Sequence, residues 1–258
     1  MNKFLSFSLL IPVASGFNSL LNVQGLPTLP NVPTMPKPAP VPFTWEPEAA
    51  ESILQSIDSV RDRPFMIALI GIPGSGKSTS CHNVADLLEK AGFPTMVMPF
   101  DGYHIPLDDL KILPNADDAI YRRGAPDTFD PVALKKDLLR IRNGIEPMIM
   151  FPDFDHGKGD PEADQHSFIR TQHSVVICEG LYLLHDEDRW DLEECFDFSI
   201  FIESCVDKSM SRLKIRNKVI PGYTPEEIDF RVDVVDRVNA HTVNRSKARA
   251  SLVVQSTF

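Results

Sequence analysis

The stretch Gly71-Ile72-Pro73-Gly74-Ser75-Gly76-Lys77-Ser78 decides how the rest of this chain is read. It fills the spacing G-x-x-x-x-G-K-[ST]. An apolar run at residues 65–70 leads in and reads as a buried strand, and a helix is expected to lead out as far as residue 91. In that setting the residue types imply the chemistry. Glycines permit a tight turn that aims successive backbone N–H groups at phosphate oxygens. The first turn of the following helix adds the positive end of its dipole. Gly71, Pro73, Gly74, Ser75, Gly76, Lys77, Ser78 and Thr79 are therefore the candidate cradle for the phosphates of a nucleotide. Lys77 is placed to reach the β- and γ-phosphates, and the Ser78 hydroxyl to ligate a metal ion, so that ATP and Mg²⁺ are the predicted cofactors.

On both sides of this loop, short apolar segments alternate with helical periodicity. Upstream, Ala50, Ile53, Leu54, Ile57 and Val60 predict a helix over residues 47–61. Downstream, strands are expected at 95–99, 175–178 and 198–202, with 252–255 closing the sheet. A helix is expected from Pro131 through Leu134, Leu138, Leu139 and Ile141, and two more near 205–219 and 225–244. Buried strands alternating with helices predict an α/β fold, a parallel sheet covered on both faces.

The chain has 258 residues, 43% apolar and 24% charged, as an ordinary globular protein does. Its net charge of −10 speaks against a nucleic-acid partner, which usually meets a basic face. Cys81, Cys178, Cys195 and Cys205 include no CxxC pair, so a zinc site is not expected and reduced thiols are. The apolar run at residues 4–14 is too short to span a bilayer, so no stable membrane association is expected. With Ala14 and Gly16 it predicts a signal or targeting segment over residues 1–16. Ala14-Ser15-Gly16-Phe17 also resembles the cleavage signature of proteins sent to secondary plastids; because an ATP-using enzyme would lack ATP if secreted and a plastid supplies it, a plastid is the expected location and the cytoplasm the alternative. Seven prolines from Pro27 to Pro42 make residues 17–46 an extended linker, and the folded domain is expected over 47–258.

Three further stretches carry candidate chemistry. Asp101 ends the second strand in Pro99-Phe100-Asp101-Gly102-Tyr103-His104, at the sheet edge where ligands bind. A carboxylate there could take the proton of an attacking hydroxyl, or simply open an Asp-Gly turn. Arg122 and Arg123 suit a phosphate or polyhydroxyl substrate, or belong to a solvated loop whose Asp130 caps the next helix. Pro152-Asp153-Phe154-Asp155-His156-Gly157-Lys158-Gly159-Asp160 reads as a polar solvated loop rather than a metal site.

Taken in order, the phosphate loop, Asp101-Gly102-Tyr103-His104, Arg122-Arg123-Gly124-Ala125-Pro126, residues 152–156 and Cys178-Glu179-Gly180 resemble the phosphoribulokinase/uridine kinase family over residues 50–256. The resemblance implies a P-loop NTPase fold with a five-stranded parallel sheet and a small helical lid. It implies Asp101 as catalytic base, with Tyr103, His104, Arg122, Arg123, Asp153 and His156 on the acceptor side. Glu179 would join Ser78 at the metal. Lys208, Arg212 and Arg216 share one helix face. The resemblance places that helix in the lid, where Arg212 and Arg216 could close over the triphosphate. Pro221-Gly222 offers a hinge-like turn beside it, and Arg249 would lie near the adenine. Asp236 and Asn239 match a family spacing with no derived role.

The expected function is transfer of the ATP γ-phosphate to a hydroxyl of a small molecule such as a nucleoside or sugar. Pantothenate-kinase-like specificity and a non-catalytic ATP sensor are the alternatives; Asp101 argues against the sensor. The phosphoacceptor is not named by the sequence, and homo-oligomerisation is left open.

Overall fold

The computed structural model describes residues 45–57, 62–187, 189–218 and 223–256. The expected targeting segment, most of the proline-rich linker, the last turn of the first predicted helix and the Pro221-Gly222 turn lie outside the described residues.

Helix α1 spans Glu46–Ser56, with Pro47 in its first turn, and ends where Ile57 turns extended. It stops short of the expected residue 61. Strand β1 (Phe65–Gly71) is buried at every position. The phosphate loop and α2 (Lys77–Lys90) follow, then β2 (Thr95–Pro99). Two short helices, α3 (Leu107–Lys111) and α4 (Ala116–Tyr121), precede α5 (Pro131–Asn143). Asp130 caps α5, accepting from the amides of Val132 at 3.1 Å and Ala133 at 3.0 Å.

Next come β3 (Met148–Asp155) and β4 (Asp160–Ile169), then β5 (Val175–Gly180) and β6 (Phe198–Glu203). Helix α6 (Val206–Asn217) is followed by α7 (Pro225–Arg231) and α8 (Arg237–Arg245), which a π-helical turn at Val232–Asp236 joins. Strand β7 (Leu252–Gln255) ends the description.

The main sheet has five parallel strands in the order β2-β5-β1-β6-β7, as expected. Because side chains alternate along a strand, β1 feeds two cores. Met66, Ala68 and Ile70 pack with Phe100, Phe129 and α5, while Phe65, Ile67 and Leu69 pack with α1 and α2. Each such large side chain contributes roughly 1.5–3 kcal/mol on burial.

Asp197, just ahead of β6, ties the sheet to its flank. It accepts from Arg63 at 2.8 Å, Arg142 of α5 at 2.7 Å and the Met66 amide at 3.0 Å. Burial alone would push this carboxyl up, but these donors hold it well below the usual carboxylate range.

One expectation is corrected. Residues 152–160 do not form a free solvated loop: β3 and β4 pair antiparallel and residues 156–159 are only the turn. Ile149, Phe151 and Phe168 are buried, whereas Met148 and Met150 face out, so the hairpin is anchored by one apolar face.

Candidate active site

The phosphate loop is shaped by backbone requirements. Gly74 has φ 76° and Gly76 φ 91°, left-handed conformations that favour glycine. A β-carbon at Gly74 would lie 2.6 Å from the carbonyl oxygen of Ser209, so the missing side chain lets α6 approach the loop. Lys77 Nζ donates to the Ile72 carbonyl at 3.2 Å. Ser78 Oγ donates to Glu179 Oε1 at 2.9 Å, joining the two residues assigned to the metal.

Glu179 and Asp101 reach the same sheet edge because β5 lies between β1 and β2. Register pairs Pro99 with Glu179 and Ile70 with Gly180, so β2, β5 and β1 end together. Asp101 opens a short turn, Phe100–Tyr103, just beyond β2. Its carboxylate meets solvent at the cleft and makes no hydrogen bond among the described residues. Protein surrounds it on its other sides, and this burial raises it; Lys77, His156 and Arg216 oppose the rise, while Asp153 adds to it. Burial likewise raises Glu179 and lowers Lys77, each opposed by the other's charge. Lys77, Glu179, Asp101 and Arg216 thus form one electrostatic neighbourhood.

The β3–β4 hairpin packs against the turn that carries Asp101. A β-carbon at Gly102 would sit 2.5 Å from the Pro152 carbonyl oxygen, so glycine is what lets the hairpin close on the Asp101 turn. His104 Nδ1 lies 2.8 Å from the Asp101 carbonyl oxygen, and its ring packs on Phe129 (3.9 Å) and Phe154 (4.8 Å). Burial lowers this imidazole to about 4, so it is neutral near neutrality. His156 sits in the hairpin turn, and Asp153 holds His166 Nε2 at 2.8 Å.

Several assignments change in detail. Tyr103 turns inward, buried, with its hydroxyl on Asp137 at 3.0 Å, because the turn gives the cleft to Asp101 and the core to its neighbour. Arg122 is engaged by Asp118 (2.7 Å) and Asp127 (2.8 Å). Arg123 donates to the carbonyls of Gly159 and Ile105 and pairs with Asp160, binding the hairpin to the loop after α4.

Arg249 is held by Asp186 (2.8 Å) and Glu193 (2.9 Å). Arg212 donates to Ser204 Oγ (3.2 Å) and Ser209 Oγ (3.1 Å). Arg216, one turn further along α6, is in electrostatic reach of Lys77, Asp101 and Asp236.

Two residues of this region had no role in the sequence reading. Arg231 donates to the Arg123 carbonyl at 2.8 Å and lies 3.5 Å from Asp236. Asp236 Oδ2 is buried without a hydrogen-bond partner among the described residues, and burial raises that carboxyl. The Asp236-x-x-Asn239 spacing was the one signal that pointed there; Arg231 had none.

A parallel sheet, a phosphate loop between β1 and α2, and acids at the ends of β5 and β2 define a nucleotide-binding protein of the P-loop type. The chain belongs to the Phosphoribulokinase / Uridine kinase family, whose profile matches residues 66–257. It is 32% identical over 197 residues to a Schizosaccharomyces pombe protein provisionally named a uridine kinase, covering 74% of this chain and 82% of that one. It is 30% identical to YggC of Escherichia coli, over 76% of this chain and 79% of the relative. A solved structure from Silicibacter sp. TM1040, provisionally described as a fructose transport system kinase, superposes with a TM-score of 0.74 at 28% identity. That superposition covers 81% of this chain and 98% of the other. The chain is therefore a P-loop kinase of the class acting on small molecules.

Proposed function

We propose that this kinase transfers the γ-phosphate of Mg-ATP to a hydroxyl group of a small molecule, with Asp101 as general base. The observation that carries the reading is the exposed Asp101 carboxylate, without a hydrogen bond among the described residues, on the sheet edge that also presents Lys77 and Glu179. A carboxylate open to solvent and free of side-chain partners is available to a substrate hydroxyl, as a general base must be.

The residues present fit both nucleotide and metal. The left-handed glycines and the start of α2 make an anion cradle. The Ser78–Glu179 contact puts a hydroxyl and a carboxylate side by side. Among the described residues no group of three or more His, Cys, Asp or Glu could hold a metal. Mg²⁺ keeps several waters and phosphate oxygens as ligands, so one hydroxyl and one carboxylate from the protein are enough to hold it. When bound, Mg²⁺ neutralises charge that develops on the phosphates. Lys77 adds a fixed positive charge, and the loop amides position the phosphate chain. Asp101 takes the acceptor's proton at a carboxylate oxygen. Arg216 supplies a second cation from the lid side.

The test is ADP release measured against a no-acceptor blank across nucleosides, sugars, polyols and hydroxy acids. Stimulation by one chemical class is expected. Tight Mg-ATP binding with no stimulation by any acceptor would replace the kinase by an ATP sensor.

A further inference from the structure

We infer that the acceptor is an uncharged polyhydroxyl compound, and that carboxylate- or phosphate-bearing metabolites are excluded from this site; the inference rests on the kinase reading above. It comes from how the cations around the cleft are used. Arg122 is spent on Asp118 and Asp127. Arg123 is only 10% exposed and gives its guanidinium to two backbone carbonyls and Asp160. Arg231 bridges the Arg123 carbonyl and Asp236. Lys158, at the hairpin turn, pairs with Asp155 and Glu162. Lys77 and Arg216, whose charges act on Asp101, are the cations that the transferred phosphate requires. The arginines that would clamp an anionic acceptor therefore hold the hairpin and lid to the acceptor loop instead.

What remains toward the cleft is acceptor chemistry for hydroxyl hydrogens. The Asp101 carboxylate makes no hydrogen bond among the described residues and is exposed, and Asp236 Oδ2 is enclosed beside Arg231, with no hydrogen bond among them. Asn239 is buried beside Gly124, its amide nitrogen 3.6 Å from where a β-carbon would stand there. The carbonyl oxygen of Gly124 accepts from Tyr182 at 2.7 Å, and Tyr182 feels the charges of Asp236, Asp127 and Asp101. Ionised carboxylates accept hydrogen bonds and cannot donate them, so their complement is a set of O–H groups. A second anion here would meet Asp101, Asp153 and Asp236, and among the described cations Lys77 and Arg216 are already required by the transferred phosphate. Sites built to hydrogen-bond a substrate hydroxyl discriminate strongly when that partner is lost.

The experiment uses matched pairs: glycerol and glycerate, panthenol and pantothenate, fructose and fructose 6-phosphate, uridine and uridine 5′-monophosphate. Calorimetry on the full chain saturated with Mg²⁺ and a non-hydrolysable ATP analogue gives binding, and ADP release gives kcat/KM. At least one neutral compound is expected to bind, with its charged partner weaker by 30-fold or more and at least 100-fold lower in kcat/KM. Asp236→Asn should weaken that neutral compound at least 10-fold while the affinity for the ATP analogue changes less than twofold. A charged member that binds better than its neutral partner overturns the inference, as does a neutral arm that neither binds nor turns over. Neutral binding without any turnover would instead remove the kinase reading and leave the charge preference standing.

Discussion

Asp101 owes its character to what is absent around it. Burial raises its carboxyl above the ordinary range, and no donor in the described residues pulls it back by a hydrogen bond. A base must be ionised to act, so activity should fall as pH drops through that raised value, above the ordinary carboxylate pKa of about 4. His104 titrates at about 4 and stands beside it, so the assignment needs a control. In a pH profile of kcat/KM, His104→Gln should leave the acid limb where it is; a limb that disappears with the imidazole would assign it to His104. Arg216 offers a second test at this scale. Its guanidinium reaches Lys77 and Asp101 electrostatically, and among the described residues it has no carboxylate hydrogen-bonded to it but donates to the Asn217 side-chain oxygen at 3.2 Å. Arg216→Ala should lower kcat more than it weakens ATP binding, as lost transition-state contacts do. Equal losses would mark it as an ordinary binding residue.

Among the elements, the β3–β4 hairpin closes on the Asp101 turn through Gly102, and the proposed acceptor site lies beside it. A methyl group at Gly102 would strike the Pro152 carbonyl oxygen (2.5 Å) and the Asp153 α-carbon (2.9 Å), both backbone. Gly102→Ala should therefore destabilise by about 1–3 kcal/mol, the cost of overpacking, and raise KM for the acceptor while leaving ATP affinity intact. Urea denaturation with KM for both substrates checks it; an unchanged acceptor KM would detach the hairpin from the site.

The same elements show what was legible in the sequence. The strands of the main sheet stood out because each is a short apolar run, and the phosphate loop because its spacing is rigidly specified. The hairpin did not, because the polar tip from Asp153 to Asp160 outweighed the alternation Met148-Ile149-Met150-Phe151 that anchors it. Helices α3 and α4, of 5 and 6 residues, are too short to establish a period. Which neighbour of a turn faces the cleft, Asp101 or Tyr103, and which arginines are already paired are matters of tertiary packing that spacing does not encode.

At the scale of the molecule, the two cores on either side of β1 are locked in register by charge as well as by packing. Asp197 joins the lead-in to β1, the start of β6 and α5 through Arg63, Met66 and Arg142. Its side chain is 6% exposed, so Asp197→Asn leaves two cations poorly matched and should cost about 2–4 kcal/mol at neutral pH. The folded pKa is depressed, so this stabilisation is fully present above the unfolded value of about 3.9 and fades as pH falls toward the folded one. The gap between wild type and variant in urea denaturation should narrow below about pH 4; a gap that stays constant would mean that the carboxylate's charge contributes nothing.

The central claim is that one carboxylate, set by the fold beside the phosphate loop, makes this nucleotide-binding protein a kinase. It is tested most directly by Asp101→Asn, measured by calorimetry for Mg-ATP and by acceptor-dependent ADP release with the acceptor the panel selects. Lys77, Ser78 and the loop amides are untouched by the change, so ATP affinity should stay within a few-fold of wild type. Turnover should fall by about 10²–10⁴, the usual contribution of a general base. A variant that binds Mg-ATP and still turns over like wild type would contradict the account and move the base elsewhere in the cleft.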